Sequence, residues 1–177
     1  MNVLFLDIDG VLNSHRTAVG LGGIPWCSDL RTRPERMQLL DPVAVGLLRA
    51  ACAAAGLKIV LSSTWRKDAE WTSLGAALDL PIIDRTPTML GIRGSEIAAW
   101  LEAHPEVESY AIVDDDSDML SEQMHRFVKT NGAHGYGWEE HVKLCDLFGV
   151  GYFNQANRGR PLSPAKALDW GEPQPTP

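Results

Sequence analysis

Two carboxylates, Asp7 and Asp9, stand where the apolar run Val3-Leu4-Phe5-Leu6 gives out, and Gly10 follows them directly. The run Lys58-Ile59-Val60-Leu61 ends in two hydroxyls, Ser62 and Ser63, and Tyr110-Ala111-Ile112-Val113 ends in Asp114, Asp115 and Asp116. Short apolar runs that do not alternate read as strands buried on both faces. In open parallel sheets, ligands lie outside the carboxyl ends of the strands. The three runs would then deliver five carboxylates and two hydroxyls to one edge. Acids so placed repel one another unless a cation lies among them. A hard divalent ion with oxygen ligands, Mg²⁺, is the natural resolution. Gly10 would let the chain turn sharply beside whatever binds there.

The elements that must position these groups follow from the same pattern. Residues 3–8, 58–62 and 110–113 read as strands, joined by a short third strand at 80–84 and a weaker fifth at 151–153. Residues 41–55 read as a helix, with Asp41 at the N-cap, Pro42 in the first turn, Val43, Leu47, Ala51 and Ala54 on one face, and Gly56 just past the end. Further helices are expected at about 66–78, from Gly94-Ser95 to the stop at Pro105 with Ile97, Trp100 and Leu101 inward, near 118–126, and near 138–148 with Trp138, Val142, Cys145 and Phe148 on one side. Strands separated by helices imply right-handed crossovers and one open, mainly parallel, three-layer α/β sheet with helices on both faces. The catalytic domain is expected to fill residues 1–153. Within it, the glycine-containing stretch 13–40 reads as a flap or small insert, and 154–177 as an extended or disordered proline-rich tail.

Asp7-Ile8-Asp9-Gly10-Val11-Leu12 resembles the first motif of the haloacid dehalogenase-like (HAD) superfamily, a strand followed by DxDG and small apolar residues. The resemblance implies a Rossmann-like fold in which Asp7 attacks phosphorus and forms an aspartyl-phosphate. Asp9 would protonate the leaving oxygen and then deprotonate the attacking water. The chemistry suits those roles: a carboxylate nucleophile divides a slow hydrolysis into two easier steps, and a neighbouring carboxyl can alternate between acid and base. In order along the chain, Ser62 resembles the second motif, a hydroxyl that bonds a phosphoryl oxygen. Arg93 best matches the basic third motif, with Arg85 and Arg66 as competitors. Val113-Asp114-Asp115 resembles the fourth, which makes Asp114 a metal ligand supported by Asp115, or by Asp118 in a common variant. The implied metal shell is Asp7, Asp9 through its backbone carbonyl, Asp114 and Asp115.

Asp9-Gly10-Val11-Leu12-Asn13, Ser62-Ser63-Thr64-Trp65-Arg66, Asp114-Asp115 and Val128-Lys129-Thr130 are together similar to the small phosphatase domains of RNA-repair and polynucleotide kinase-phosphatase-type proteins. Residues 13–40 are too few for a large cap domain. The implied activity is an Mg²⁺-dependent phosphomonoesterase acting on a nucleotide or a nucleic-acid terminal phosphate. A small sugar or other metabolite phosphate is the alternative within the same chemistry, and a catalytically silent binding module the alternative outside it. A receiver-like signalling domain also groups acids around Mg²⁺, but its phosphorylated acid should end a middle strand, where this chain has Ser62.

Each functional residue also has a plainer reading. The acids at 114–116 would suit a helix N-terminus, Ser62 and Ser63 would suit helix capping, and Arg66 a surface helix. Ser63, Arg66 and Gly10 are nonetheless expected to line the substrate site. Arg16, Arg31, Arg33 and Arg36 form a basic local cluster that reads as a solvated loop beside Asp29 and Glu35. His15 stands nearest the site in sequence, and the other histidines show no metal-box spacing. Trp71, Trp100 and Trp138 read as packing residues, while Trp26 and Trp65 have the chemistry to stack a base.

The composition limits what else the chain can be. With 177 residues, 45% of them hydrophobic and 22% charged, it suits one buried α/β core. No apolar run approaches the roughly 20 residues that span a bilayer, and the N-terminus lacks the pattern of a signal peptide, so a cytoplasmic location is expected. Cys27, Cys52 and Cys145 form no paired motif, which argues against a disulfide framework or a zinc site. A net charge of −7 disfavours non-specific binding along a polyanion but not capture of a single phosphorylated end. No protein partner is predicted.

Overall fold

The structure is a computed structural model, and it describes residues 1–24, 37–67 and 71–153. Among the described residues, five parallel strands, β1 (Asn2–Leu6), β2 (Leu57–Leu61), β3 (Ile82–Arg85), β4 (Ser109–Asp114) and β5 (Phe127–Lys129), form one open sheet in the order β3-β2-β1-β4-β5. Strand β1 lies at its centre, pairing Leu6 with Leu61 on one side and with Val113 on the other. The topology reverses beside β1, so the chain ends that follow β1, β2 and β4 meet in one crevice.

Strand residues alternate between two apolar layers. Leu4, Leu6, Ile59, Leu61, Ala111 and Val113 pack with Leu48 of α2 (Pro42–Ala55), Leu74 of α3 (Trp71–Leu78) and Leu144 of α5 (Trp138–Leu147). Val3, Phe5, Val60 and Ile112 face the other way, onto Ile97 and Trp100 of α4 (Arg93–Ala103) and Met119. This is the three-layer α/β architecture that the buried, non-alternating strands imply. A short helix α1 (His15–Gly20) opens the segment after the first motif. The basic residues at 31, 33 and 36, together with Cys27, Trp26 and residues 154–177, lie outside the described residues. Among the described residues no helix is long and apolar enough to cross a membrane.

Helix α2 is delimited as its sequence dictates. The Asp41 carboxylate accepts the Val43 N–H at 2.8 Å, Pro42 opens the first turn, and Gly56 closes the helix in the left-handed region at φ 61°. Its buried stripe, however, is Ala44, Val45, Leu48, Ala51 and Cys52, and Val43 is exposed. In a helix so rich in alanine, the apolar count cannot set the phase. Helix α5 corrects the sequence reading in the same way: its inward face is His141, Leu144 and Cys145, and Trp138 is half exposed. The stretch at 121–126 is a 3₁₀ helix rather than an α-helix, and another 3₁₀ turn occupies Thr64–Lys67 ahead of α3.

The fifth strand is Phe127–Lys129, not 151–153. It is a three-residue edge strand with only Val128 fully buried, too short to show a periodicity of its own. Tyr152 and Phe153 instead lie exposed against Trp138, with ring centroids 6.4 and 5.6 Å away.

Candidate active site

The first motif continues β1 before it turns. Asp7 donates its backbone N–H to Val113 at 3.0 Å, which carries the ladder one residue past the strand. Leu12 then donates back to the Ile8 carbonyl at 2.8 Å and closes a tight turn around Gly10, whose φ is +74°. Thr130, just past β5, donates its hydroxyl to the Gly10 carbonyl at 2.9 Å, and Tyr136 donates its N–H to Val11 at 2.8 Å. The turn is thus fastened to the far side of the sheet.

Asp7, Asp114 and Asp115 each place a carboxylate oxygen within 4.8 Å of the others. Asp7 and Asp114 are buried, and Asp115 is partly so. Arg93, the first residue of α4, reaches between them. Its Nη1 lies 2.6 Å from Asp114 Oδ2 and 3.1 Å from Asp7 Oδ1. Helix α4 has no side-chain cap at its own N-cap residue, Ile92; Asp118 supplies the acceptors instead, taking the Arg93 N–H on Oδ2 and the Gly94 N–H on its carbonyl, each at 3.0 Å. Asp118 therefore serves the helix that presents Arg93, and it does not join the acid cluster.

Among the described residues, the site is short of positive charge. Burial raises the pKa of Asp7 despite the opposing Arg93. Burial and then the charge of Asp7 push Asp114 up to about 7, and the same two causes raise Asp115. For Arg93, burial works against the charge, but Asp7 and Asp114 outweigh it and hold the guanidinium protonated. Among the described residues, one guanidinium against three convergent carboxylates leaves a deficit that suits a divalent cation. The donors are all hard oxygens, as Mg²⁺ requires. The absence of a side chain at Gly10 leaves the room that the Asp115 carboxylate takes up beside it. The residues fit a metal ion held by Asp7, Asp114 and Asp115.

The remaining sequence-identified residues divide sharply. Ser63 hydrogen-bonds the Asp7 carboxylate and accepts the Trp65 N–H at 3.3 Å. Ser62 donates its backbone N–H to Leu6 at 3.0 Å, while its Oγ is fully buried without a partner among the described residues. The hydroxyl bonded to the Asp7 carboxylate is thus that of Ser63, while Ser62, one residue past β2, continues the ladder to β1 through its backbone N–H. Arg66 is buried away from solvent, its Nη2 2.6 Å from Glu96 and its Nη1 2.8 Å from the carbonyls of Ser62 and Ser63. Arg85 donates to the Arg66 carbonyl and lies over Trp71. Of the three arginines, Arg93 is the one that meets the acids.

Asp9 extends into a cleft of about 250 Å³ lined by Asp7, Asp9, Thr64, Arg93, Asp115 and Asp116. Its carboxylate is held by Asn13 at 2.8 Å and by the Trp65 indole at 3.0 Å. Trp65 is buried, so it offers no face for a base to stack on. Asp116, one of the five carboxylates expected at this edge, lines the cleft, and so does Thr64, to which the sequence assigned no role. The adjacency of Thr64 to Ser63 was the available signal, but which neighbour faces the cleft depends on how the strand end turns.

No curated protein and no solved structure matches the chain. The family model described as the HAD domain in Swiss Army Knife RNA repair proteins matches residues 3–140, from the start of β1 into α5. That span contains Asp7, Asp9, Ser63, Arg93, Asp114 and Asp115, and the chain belongs to this family of HAD-type phosphatase domains.

Proposed function

We propose that the protein is a metal-dependent phosphomonoesterase in which Asp7 attacks phosphorus and water releases the phosphate. The observation that carries this reading is the placement of Arg93 between Asp7 and Asp114, at 3.1 and 2.6 Å, inside a cluster that also has the donor set for Mg²⁺. Asp7 is the nucleophile, being buried, first in the motif and in contact with both Ser63 and Arg93. Ser63 and Arg93 supply a preorganised hydroxyl and cation for the non-bridging phosphoryl oxygens, whose charge is what such a site must stabilise. Asp9, which lines the same cleft, gives its proton to the departing oxygen and takes one from the water that follows. A Mg²⁺ ion held by Asp7, Asp114 and Asp115 would neutralise phosphoryl charge and orient the phosphate.

The substrate class we favour is a nucleic-acid or nucleotide terminal phosphate. The family is described from RNA repair proteins. The cleft formed by the described residues, about 250 Å³, lies below the usual range of roughly 300–1,000 Å³ for sites that enclose a small organic ligand. It suits a phosphoryl group whose attached nucleoside stays outside.

The test is phosphate release in the presence of Mg²⁺ from 3′- and 5′-phosphorylated oligonucleotides, mononucleotides and sugar phosphates, with Asp7→Asn as the blank. Release from oligonucleotide ends that vanishes in the blank supports the reading. Faster release from sugar phosphates moves the protein to metabolite chemistry. Binding of phosphorylated ends without any release makes it a silent module.

A further inference from the structure

Both carboxylate oxygens of Asp9 are held by side chains from separate parts of the chain. The Trp65 indole N–H donates to Oδ2 at 3.0 Å, and the Asn13 amide donates to Oδ1 at 2.8 Å. Asn13 returns along the turn, accepting the Gly10 N–H on its own Oδ1 at 2.9 Å. Trp65 in turn is seated in the core, only 3% exposed, and its backbone N–H binds Ser63 Oγ at 3.3 Å. A carboxylate has about four acceptor positions, so two donors fix its plane and still leave positions for a proton.

A buried tryptophan needs an acceptor for its N–H, but the choice of Asp9 is informative. Through Trp65 the loop after β2, which presents Ser63 to Asp7, is tied to the acid that must meet the departing oxygen. An acid on a rotatable side chain gains from being held in one orientation, since catalytic groups act only within hydrogen-bond reach of the proton they move.

We propose that Trp65 is a positioning residue for the leaving-group step, acting through Asp9; the inference rests on the phosphatase reading above. In that step an Asp7 oxygen bonds to phosphorus as the ester P–O bond breaks. The electron pair goes to the departing oxygen, which takes the proton of the Asp9 carboxylic acid. The step draws on Asp9 strongly when the departing oxygen is a basic alkoxide, as from a ribose. It draws on Asp9 little when the departing group is p-nitrophenolate, which is stable without a proton.

The experiment measures kcat/KM, which covers events up to the first irreversible step, for Trp65→Phe and wild type on p-nitrophenyl phosphate and on a ribose phosphate, the phosphorylated oligonucleotide end or nucleotide that wild type hydrolyses best. Trp65→Phe is expected to lose about 10-fold on the ribose phosphate and no more than about 3-fold on the aryl ester, a part of the roughly 10²–10⁴ that general acid catalysis supplies. Equal losses on the two substrates overturn the proposal, because a merely structural tryptophan would not sense the leaving group. Should Trp65→Phe fail to fold, replacement of Trp65 by benzothienylalanine, which keeps the bicyclic shape and removes the N–H, is decided by the same comparison. A wild type that releases phosphate from neither substrate overturns the phosphatase reading itself, and this inference with it.

Discussion

Gly10 and Asp115 occupy adjoining space so tightly that a Cβ at position 10 would lie 2.2 Å from the Asp115 carboxylate carbon. The contact joins the turn after β1 to the turn after β4, and the left-handed φ of +74° at Gly10 makes a side chain there unfavourable twice over. Gly10→Ala is expected to displace Asp115 from the acid cluster. The strain and overpacking together should cost about 2–4 kcal/mol. Thermal melting should show a lower midpoint, and titration of Mg²⁺ by calorimetry a weaker affinity than wild type. An unchanged affinity would mean that Asp115 lies outside the metal shell.

Protonation of the cluster should set how stability depends on pH. The folded chain holds protons on Asp7, Asp114 and Asp115 more tightly than the unfolded chain, where each has the ordinary value of 3.8. The stability from this source is therefore complete below that value and is lost as pH rises through the folded values, about 7 for Asp114. In EDTA, the melting temperature is expected to fall between about pH 5.5 and pH 8, and Asp114→Asn to flatten that fall. Mg²⁺ should restore stability more at the higher pH, where the acids are ionised and able to bind it. A wild-type profile that stays flat or rises, with no response to Asp114→Asn, would contradict the cluster's electrostatics.

Arg93 and Arg85 provide a direct contrast. Arg93 touches Asp7 and Asp114, whereas Arg85 donates to a backbone carbonyl behind the site. At saturating Mg²⁺, Arg93→Ala should lower kcat by about 10² or more, the scale of losing one preorganised stabilising donor. Arg85→Ala should change kcat much less. Steady-state phosphate release on the best substrate from the screen checks both, and a full rate in Arg93→Ala would remove this arginine from the mechanism.

The buried pair Arg66–Glu96, at 2.6 Å, binds the loop after β2 to helix α4, three residues beyond Arg93. Glu96 also accepts the Met89 N–H at 3.0 Å. Glu96→Ala would strand the Arg66 charge in the interior and should cost about 3–5 kcal/mol in urea unfolding. An apolar pair, Arg66→Met with Glu96→Leu, should recover much of that loss. If Glu96→Ala is as stable as wild type, the pair is solvated and Arg66 becomes available to substrate.

The acids were legible in the sequence because catalysis at a sheet edge leaves a local mark. Asp7, Asp9 and Asp114 each follow directly on an apolar run, and a run buried on both faces is recognisable from its composition. The order of the runs and the absence of alternation were enough to specify parallel strands, three layers and the edge where the acids gather. Helix ends were equally local: Asp41, Pro42 and Gly56 delimit α2 through contacts within a turn or so of themselves.

What lay beyond the sequence depends on contacts between distant residues. Ser62 and Ser63 are adjacent and chemically identical, and only the path of the chain leaving β2 decides that Ser63 faces Asp7. Arg66 and Arg85 competed with Arg93, the best match to the third motif, until Glu96 claimed the first, a backbone carbonyl the second and the acids the third. Asp118 likewise matched a metal-ligand spacing, yet it caps α4 because that helix begins without an acceptor of its own. A charged side chain takes the partner that packing brings within reach, and spacing along the chain does not encode that distance.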